Sequence, residues 1–250
     1  MMLKDKIAIV TGSSRGVGRA VAEAYGESGA NVVINYTSNQ KAADEVVKNI
    51  QDMGRKAIAV KADVAQKADV ERLIQTAIDE FGRIDILVNN AGFTRPSMML
   101  KMTEEEWDQV IDIHLKGAFL CSQAAGRHMK EQKSGKIINV MSVAGLVGTV
   151  GQINYSAAKG GILSMTKSIA RELARYNICA NVICLGIVAT DMSEKIRTDE
   201  KLKEIYMNRI LLKRFGEAKD IAPAFVFLAS EGSDYITGQL LSVDGGYGMI

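Results

Sequence analysis

Proline is almost missing from this chain: Pro96 and Pro223 are the only two in 250 residues. A proline-rich linker between domains is thereby excluded. Histidine is equally scarce, with His114 and His128 alone, and cysteine amounts to Cys121, Cys179 and Cys184. These residues show no metal-ligand spacing. If Cys179 and Cys184 share one extended strand, they lie roughly 16 Å apart, beyond disulfide reach. An odd, scattered set of thiols predicts a soluble protein of a reducing compartment, the cytoplasm. The net charge is only +2 and the basic residues are dispersed, which gives no reason to expect nucleic acid or an anionic membrane as partner. No apolar run approaches a bilayer span, and the opening Met1-Met2-Leu3-Lys4-Asp5-Lys6 has no signal-peptide core.

What the chain does have is alternation. Short apolar runs occur at 6–11, 31–36, 56–61, 84–89, 136–141, 178–185 and 240–243. Near-continuous runs of this kind suit strands buried on both faces, as in a parallel sheet. Helical spacing lies between them: Val70, Leu73, Ile74, Ala77, Ile78 and Phe81 form one stripe. Trp107, Val110, Ile111, Leu115, Ala118 and Phe119 form another. Strand and helix alternating throughout predict an α/β fold, a doubly wound Rossmann-type parallel sheet of about seven strands in a single domain.

The chemistry centres on Ser142 and, thirteen positions further on, Tyr155-Ser-Ala-Ala-Lys159. If 154–176 is helical, Tyr155 and Lys159 stand one turn apart on one face. A lysine cation about 4 Å away stabilises a phenolate by roughly 4 kcal/mol at an effective dielectric of about 20, or about three pKa units. The phenol would then suit general acid–base catalysis, with Ser142 donating to a substrate carbonyl oxygen. The plain alternative is an ordinary amphipathic helix, because this spacing occurs by chance.

The first strand ends in Thr11-Gly-Ser-Ser-Arg-Gly-Val-Gly18 and a helical pattern follows. Such a turn lets helix amides face a pyrophosphate, though it also serves as a tight strand-to-helix connection. Its place after the first strand of an α/β chain favours dinucleotide binding. The second strand ends in Asn35-Tyr36-Thr37-Ser38, without the acid that usually accepts from an NAD ribose, and Arg15 is placed to meet a 2′-phosphate. NADP (NADPH) is therefore expected, with NAD possible if Arg15 is merely solvated. Asp63-Val64 closes the third strand, either against an adenine edge or as a helix cap. Asn89-Asn90-Ala91-Gly92 closes the fourth, with small residues where a cofactor would pass, although asparagine also forms turns.

With these stretches in order, the chain resembles the short-chain dehydrogenase/reductase family over essentially its full length. The motifs are the glycine turn, Asp63-Val64, Asn89-Asn-Ala-Gly92, Ser142, Tyr155-x-x-x-Lys159 and Val243-Asp-Gly-Gly246. Within the family it is most similar to the 3-oxoacyl-acyl-carrier-protein reductases, through Thr11–Gly18, Asp85–Arg95, Tyr155–Gly161 and Thr190-Asp-Met192. The resemblance implies that Tyr155 protonates a carbonyl oxygen, Lys159 also binds the nicotinamide ribose, and Ser142 orients substrate. It further implies Gly12, Ser14, Arg15, Val17 and Gly18 at the phosphates and Asp63 and Val64 at the adenine. Asn90 falls at the adjacent ribose, and Val188 and Thr190 at the nicotinamide end. A homotetramer is implied as well, paired through the helices around 107–129 and 155–176.

Two positions depart from the family. His114 stands where asparagine is usual, and Leu185 stands where proline precedes glycine. His114 lies on an apolar stripe, so a packed ring and a proton relay both remain open. Its replacement by asparagine leaves activity intact if only the backbone carbonyl matters. The stretch 190–215 mixes Met192, Ile196, Leu202, Ile205, Tyr206 and Ile210 with lysines and arginines, and reads as a substrate lid. Lys133 and Arg171 occupy positions used for acyl carrier protein in the similar reductases, unless the basic face is simply solvated. The expected function is NADPH-dependent reduction of a ketone, foremost a 3-oxoacyl thioester on acyl carrier protein or coenzyme A. The alternatives are a dehydrogenase of a small alcohol or sugar and a catalytically weak nucleotide-binding scaffold subunit.

Overall fold

A computed structural model describes residues 1–249. Seven strands form one sheet in the order β3-β2-β1-β4-β5-β6-β7. They are β1 (Ile7–Val10), β2 (Asn31–Tyr36), β3 (Ala57–Lys61), β4 (Ile86–Asn89), β5 (Gly135–Ser142), β6 (Ile178–Leu185) and β7 (Leu240–Val243). Every pairing is parallel. Parallel strands need a crossover between them, and the helices provide it.

Side-chain alternation sorts the strands between two cores. Ala8 and Val10 face the helices α1 (Gly16–Glu27), α2 (Gln40–Asp52) and, late in the chain, α10 (Ala218–Ala229). Ile9, between them, faces the other layer, α3 (Lys67–Phe81), α5 (Gly117–Gln132) and α7 (Ile153–Leu173). This is why the runs of the inner strands are continuously apolar, both faces being covered, while the edge strand β7 stays partly exposed.

The stripe from Trp107 to Phe119 is not one regular helix. A capping box of Thr103 and Glu106 starts α4 (Glu104–Ile111), then a π-helical turn, Asp112–Lys116, leads into α5. The expected helix over 154–176 is α7 followed by a 3₁₀ turn, Ala174–Tyr176. A short α6 (Ala144–Val147) follows β5, and α8 (Glu194–Thr198) with α9 (Glu200–Arg209) occupies the stretch after β6.

The three cysteines are free. Cys179 and Cys184 do share β6, and burial pushes the Cys121 and Cys184 thiols up to about 12. Among the described residues no helix is long and apolar enough to cross a membrane, and no cluster of three His, Cys, Asp or Glu is placed to hold a metal ion.

Candidate active site

The strand order reverses where β1 lies between β2 and β4. At such a switch point the loops leaving neighbouring strands part, and a crevice opens at their carboxyl ends. Here the loops that part are Thr11–Gly18 and Asn90–Arg95.

The glycine turn is built from buried polar groups. Thr11 Oγ1 accepts from the amides of Asn90 and Ala91, both at 3.0 Å. Asn90 Nδ2 donates to the carbonyls of Thr11 and Gly12, at 2.9 and 3.2 Å. Its donor end is thus committed to the turn, so a ribose contact from this side chain must use its carbonyl oxygen. Asn35 accepts from the Gly12 amide at 3.0 Å and donates to Ala62 O at 2.9 Å, which ties the turn to β2 and β3. Gly18 has no room for a side chain: a Cβ there would lie 2.4 Å from Gly12 O and 2.6 Å from Asn90 Nδ2.

The residue before α1, Arg15, is extended, and no side chain caps the helix. Its first amides therefore have no side-chain cap, which leaves them free for a pyrophosphate. Ser14, Arg15, Val17 and Gly18 surround this end. Arg15 is exposed and lies 4.0 Å from Asp191, beyond the end of β6. Thr190 reaches the same helix end: a Cβ on Gly16 would meet its Cγ2 at 3.6 Å. No acid closes β2, where Tyr36 is buried and Thr37 exposed. Val64 and Val188 pack into the core. Asp63 accepts from the Ala65 amide at 3.0 Å, while its own amide donates to Asp69 at 2.8 Å. The helix-cap alternative for Asp63 does not hold as stated, because the residue before α3 is Gln66 and Asp63 orders the preceding turn.

Ser142, Tyr155 and Lys159 converge at the carboxyl end of β5. Ser142 ends the strand and its Oγ accepts from the Ala144 amide at 3.2 Å. Tyr155 and Lys159 share a face of α7, with Lys159 Nζ 5.7 Å from the centre of the phenol ring. Lys159 is only 4% exposed, and Nζ donates to Val140 O at 2.7 Å.

The expected direction of the phenol's acidity is corrected here. Burial pushes Tyr155 up to about 12, with Ser142 pulling the other way through a hydrogen bond. Burial also pulls Lys159 down to about 7. Desolvation disfavours both charged forms and is the largest cause of both shifts. The phenol is therefore a protonated donor at neutral pH, and the amine beside it gains and loses its proton near neutrality.

The sequence shows Thr11 and Asn35 within its motifs but not their part in bracing the turn, and it assigns no role to Asn154. Asn154 is buried directly before Tyr155. Its Nδ2 donates to Arg95 O at 3.1 Å and Glu106 O at 2.9 Å, and its Oδ1 accepts from the Tyr155 amide at 2.8 Å. Its adjacency to Tyr155 was the one available signal.

An uncapped helix end after a glycine turn, with a phenol, an amine and a hydroxyl gathered at the end of β5, is the arrangement a nucleotide-dependent oxidoreductase needs. Comparison agrees. A family model described as Enoyl-(Acyl carrier protein) reductase matches residues 12–248. A 3-oxoacyl-[acyl-carrier-protein] reductase of Synechocystis sp. is 46% identical over 245 residues, covering 98% of this chain and 97% of that one. The reductase of the same name from Staphylococcus aureus (strain Mu50) is 45% identical over 245 residues, covering 98% and 99%. Among solved structures, a candidate short-chain alcohol dehydrogenase from Sinorhizobium meliloti 1021 superposes with a TM-score of 0.95 at 37% identity, over 98% of this chain and 97% of the other. A candidate gluconate dehydrogenase from Agrobacterium tumefaciens gives 0.95 at 35% identity, over 99% and 98%. The chain belongs to the short-chain dehydrogenase/reductase family of NAD(P)-dependent oxidoreductases.

Proposed function

We propose that this protein uses NADPH to reduce the 3-keto group of a 3-oxoacyl thioester, carried by acyl carrier protein or coenzyme A. The observation that carries the reading is a protonated, buried Tyr155 phenol beside Ser142 and Lys159 at the end of β5. When bound, a reduced nicotinamide supplies hydride to C3 of the substrate. Tyr155 gives its proton to the ketone oxygen, so the products are the 3-hydroxy compound and a phenolate. Ser142 orients the carbonyl by donating to the same oxygen. Lys159 then stabilises the phenolate and, with its proton labile near pH 7, helps return a proton to it. The uncapped amides of α1 hold phosphates, and Arg15 favours a 2′-phosphate over a bare ribose.

The family model carries enoyl reduction in its name, whereas the relatives at about 45% identity carry 3-oxoacyl reduction in theirs. The relatives are the narrower guide, since each is an individual protein 45–46% identical over 98% of this chain, whereas the model describes a broad family. Oxidation of a small alcohol or sugar is the second reading, favoured by the names of the two structural neighbours. In the proposed assembly, 190–215 closes as a lid over the substrate, and the helices α5 and α7 pair across a homotetramer axis. Exposed Lys133 and Arg171 give acyl carrier protein a basic landing site.

The test is turnover on a panel of ketones and alcohols with both cofactors. NADPH consumption with an acetoacetyl thioester is expected, and activity confined to a polyol with NAD rejects the first reading in favour of the second. Tyr155→Phe should lower kcat on the best substrate by about 10²–10⁴-fold. Barely changed turnover would remove the tyrosine from the mechanism.

A further inference from the structure

The chemistry above leaves His114 without a role, yet few side chains near the site are so closely held. The ring is 4% exposed and sits in the π-helical turn, a local irregularity often found at functional sites. Its Nε2 lies 2.7 Å from Phe93 O. A carbonyl can only accept, so Nε2 carries the proton and Nδ1 is a bare acceptor. That Nδ1 is buried without a protein partner. Burial and the neighbouring Lys159 charge both oppose protonation of the ring.

Two neighbours are shaped around it. The imidazole stands edge-on to the Tyr155 ring, with centroids 5.1 Å apart and planes at 84°. On its other side it presses on the backbone of Gly92. A Cβ added there would lie 1.8 Å from His114 Cε1 and 2.4 Å from Nδ1. Glycine at 92 is thus a condition for the ring's presence. The same loop is tied to α7 a second time, by Asn154 holding Arg95 O.

We propose that His114 is a positioning residue for Tyr155: protonated at Nε2 only, it occupies the space that glycine at 92 leaves open and braces the phenol against the Gly92–Arg95 loop. The proposal rests on Tyr155 being the proton donor, so its test includes readouts that do not need turnover. The groups that face the ring are Tyr155 and Lys159 from α7 and the main chain of Gly92 and Phe93.

The first experiment is a pair of single variants and their combination. Gly92→Ala should lower kcat/KM about 100-fold or more, because the methyl and the ring cannot coexist. In a His114→Ala background the same methyl should cost at least about tenfold less than it does beside the wild-type ring. An equal cost in both backgrounds overturns the proposal, and melting temperatures of the four proteins give the same comparison where activity is too low to read. His114→Ala alone should lower kcat about tenfold, leave the KM for NADPH within about twofold, and leave the limbs of the pH profile in place. A displaced limb would mean that the imidazole itself carries a proton, against the proposal. Finally, ¹⁵N spectra of the wild type should show His114 protonated at Nε2 and bare at Nδ1 from pH 5.5 to 8. A ring that titrates in that range, or an Nδ1–H tautomer, overturns it. If Tyr155→Phe retains full turnover, the acid–base reading fails instead, while spectra and melting still report on the ring.

Discussion

Burying the Lys159 ammonium costs stability, and the pH at which it does so follows from its shift. Burial lowers its pKa from 10.5 to about 7. Between those values the unfolded chain holds a proton that the folded chain has released, so stability rises with pH across that window. Tyr155 acts in the opposite sense above pH 10, where the unfolded phenol ionises and the folded one, pushed up to about 12, does not. Lys159→Met should therefore melt at a higher temperature than wild type at pH 7 and lose the rise between pH 7 and 10, while becoming inactive. Thermal melts across pH 6–10 check this, and an unchanged slope would mean that the amine is solvated. Arg15 makes a different claim at the same scale. Arg15→Ala should raise the KM for NADPH about tenfold or more and alter that for NADH little, since a bare ribose has no phosphate for the guanidinium to meet. Kinetics with both cofactors decide it. The sequence made Ser142, Tyr155 and Lys159 legible because one helical turn and one strand end define their meeting. It did not make the phenol's acidity legible, because desolvation depends on the sheet and helices that close over α7.

At the scale of elements, the sheet is held to α5 and α7 by a buried polar chain as well as by apolar packing. Asn89 on β4 donates to Ser122 of α5 at 2.9 Å and to Asn139 of β5 at 2.7 Å. Asn139 in turn donates to Thr166 of α7 at 2.8 Å, and Thr166 donates to Ile162 O at 2.6 Å. Buried amides cost little while satisfied and much when a partner is removed. Asn139→Ala removes one partner each from Asn89, which keeps Ser122, and from Thr166, which keeps Ile162 O, so a loss of about 1–3 kcal/mol in all is expected in urea denaturation. The first turns of α7, with Tyr155 and Lys159, should loosen as well, visible as faster amide exchange there. These asparagines sit within apolar runs and do not disturb the strand pattern, which is why β4 and β5 were readable despite them. Strands at 31–36, 178–185 and 240–243 fall where the hydrophobic runs put them. The π-helical turn at Asp112–Lys116 was not readable, because an extra residue in one turn leaves the apolar stripe nearly intact.

At the scale of the whole molecule, the chain's last residues connect the strand ends to the stretch we propose as the lid. Asp244, just after β7, accepts from the amides of Gly246 and Gly248 at 2.9 and 2.8 Å. The turn this forms gives Gly245 O to the Leu212 amide at 3.1 Å. Tyr247 stacks on Tyr206 of α9, with ring centres 6.2 Å apart, and its hydroxyl accepts from Arg209 at 3.3 Å. On the other side Gly248 lies against Val143 and Leu146, directly after Ser142. The Val243-Asp-Gly-Gly246 ending was visible in the sequence, but these partners stand more than thirty residues away from it, and nothing local announces them. Most of α9 is exposed and none of its residues is buried, so its position depends on this turn more than on the core. A segment held by few apolar contacts opens at low free energy, which is what a lid needs. Asp244→Ala should therefore free α8 and α9 without disturbing the nucleotide crevice at the β1/β4 switch point. The expected result is a KM for the acyl thioester raised about fivefold or more, an NADPH Kd within about twofold of wild type, and faster proteolysis between 194 and 213. If NADPH affinity falls in parallel with substrate affinity, the turn supports the whole carboxyl edge of the sheet and the lid is not a separable element.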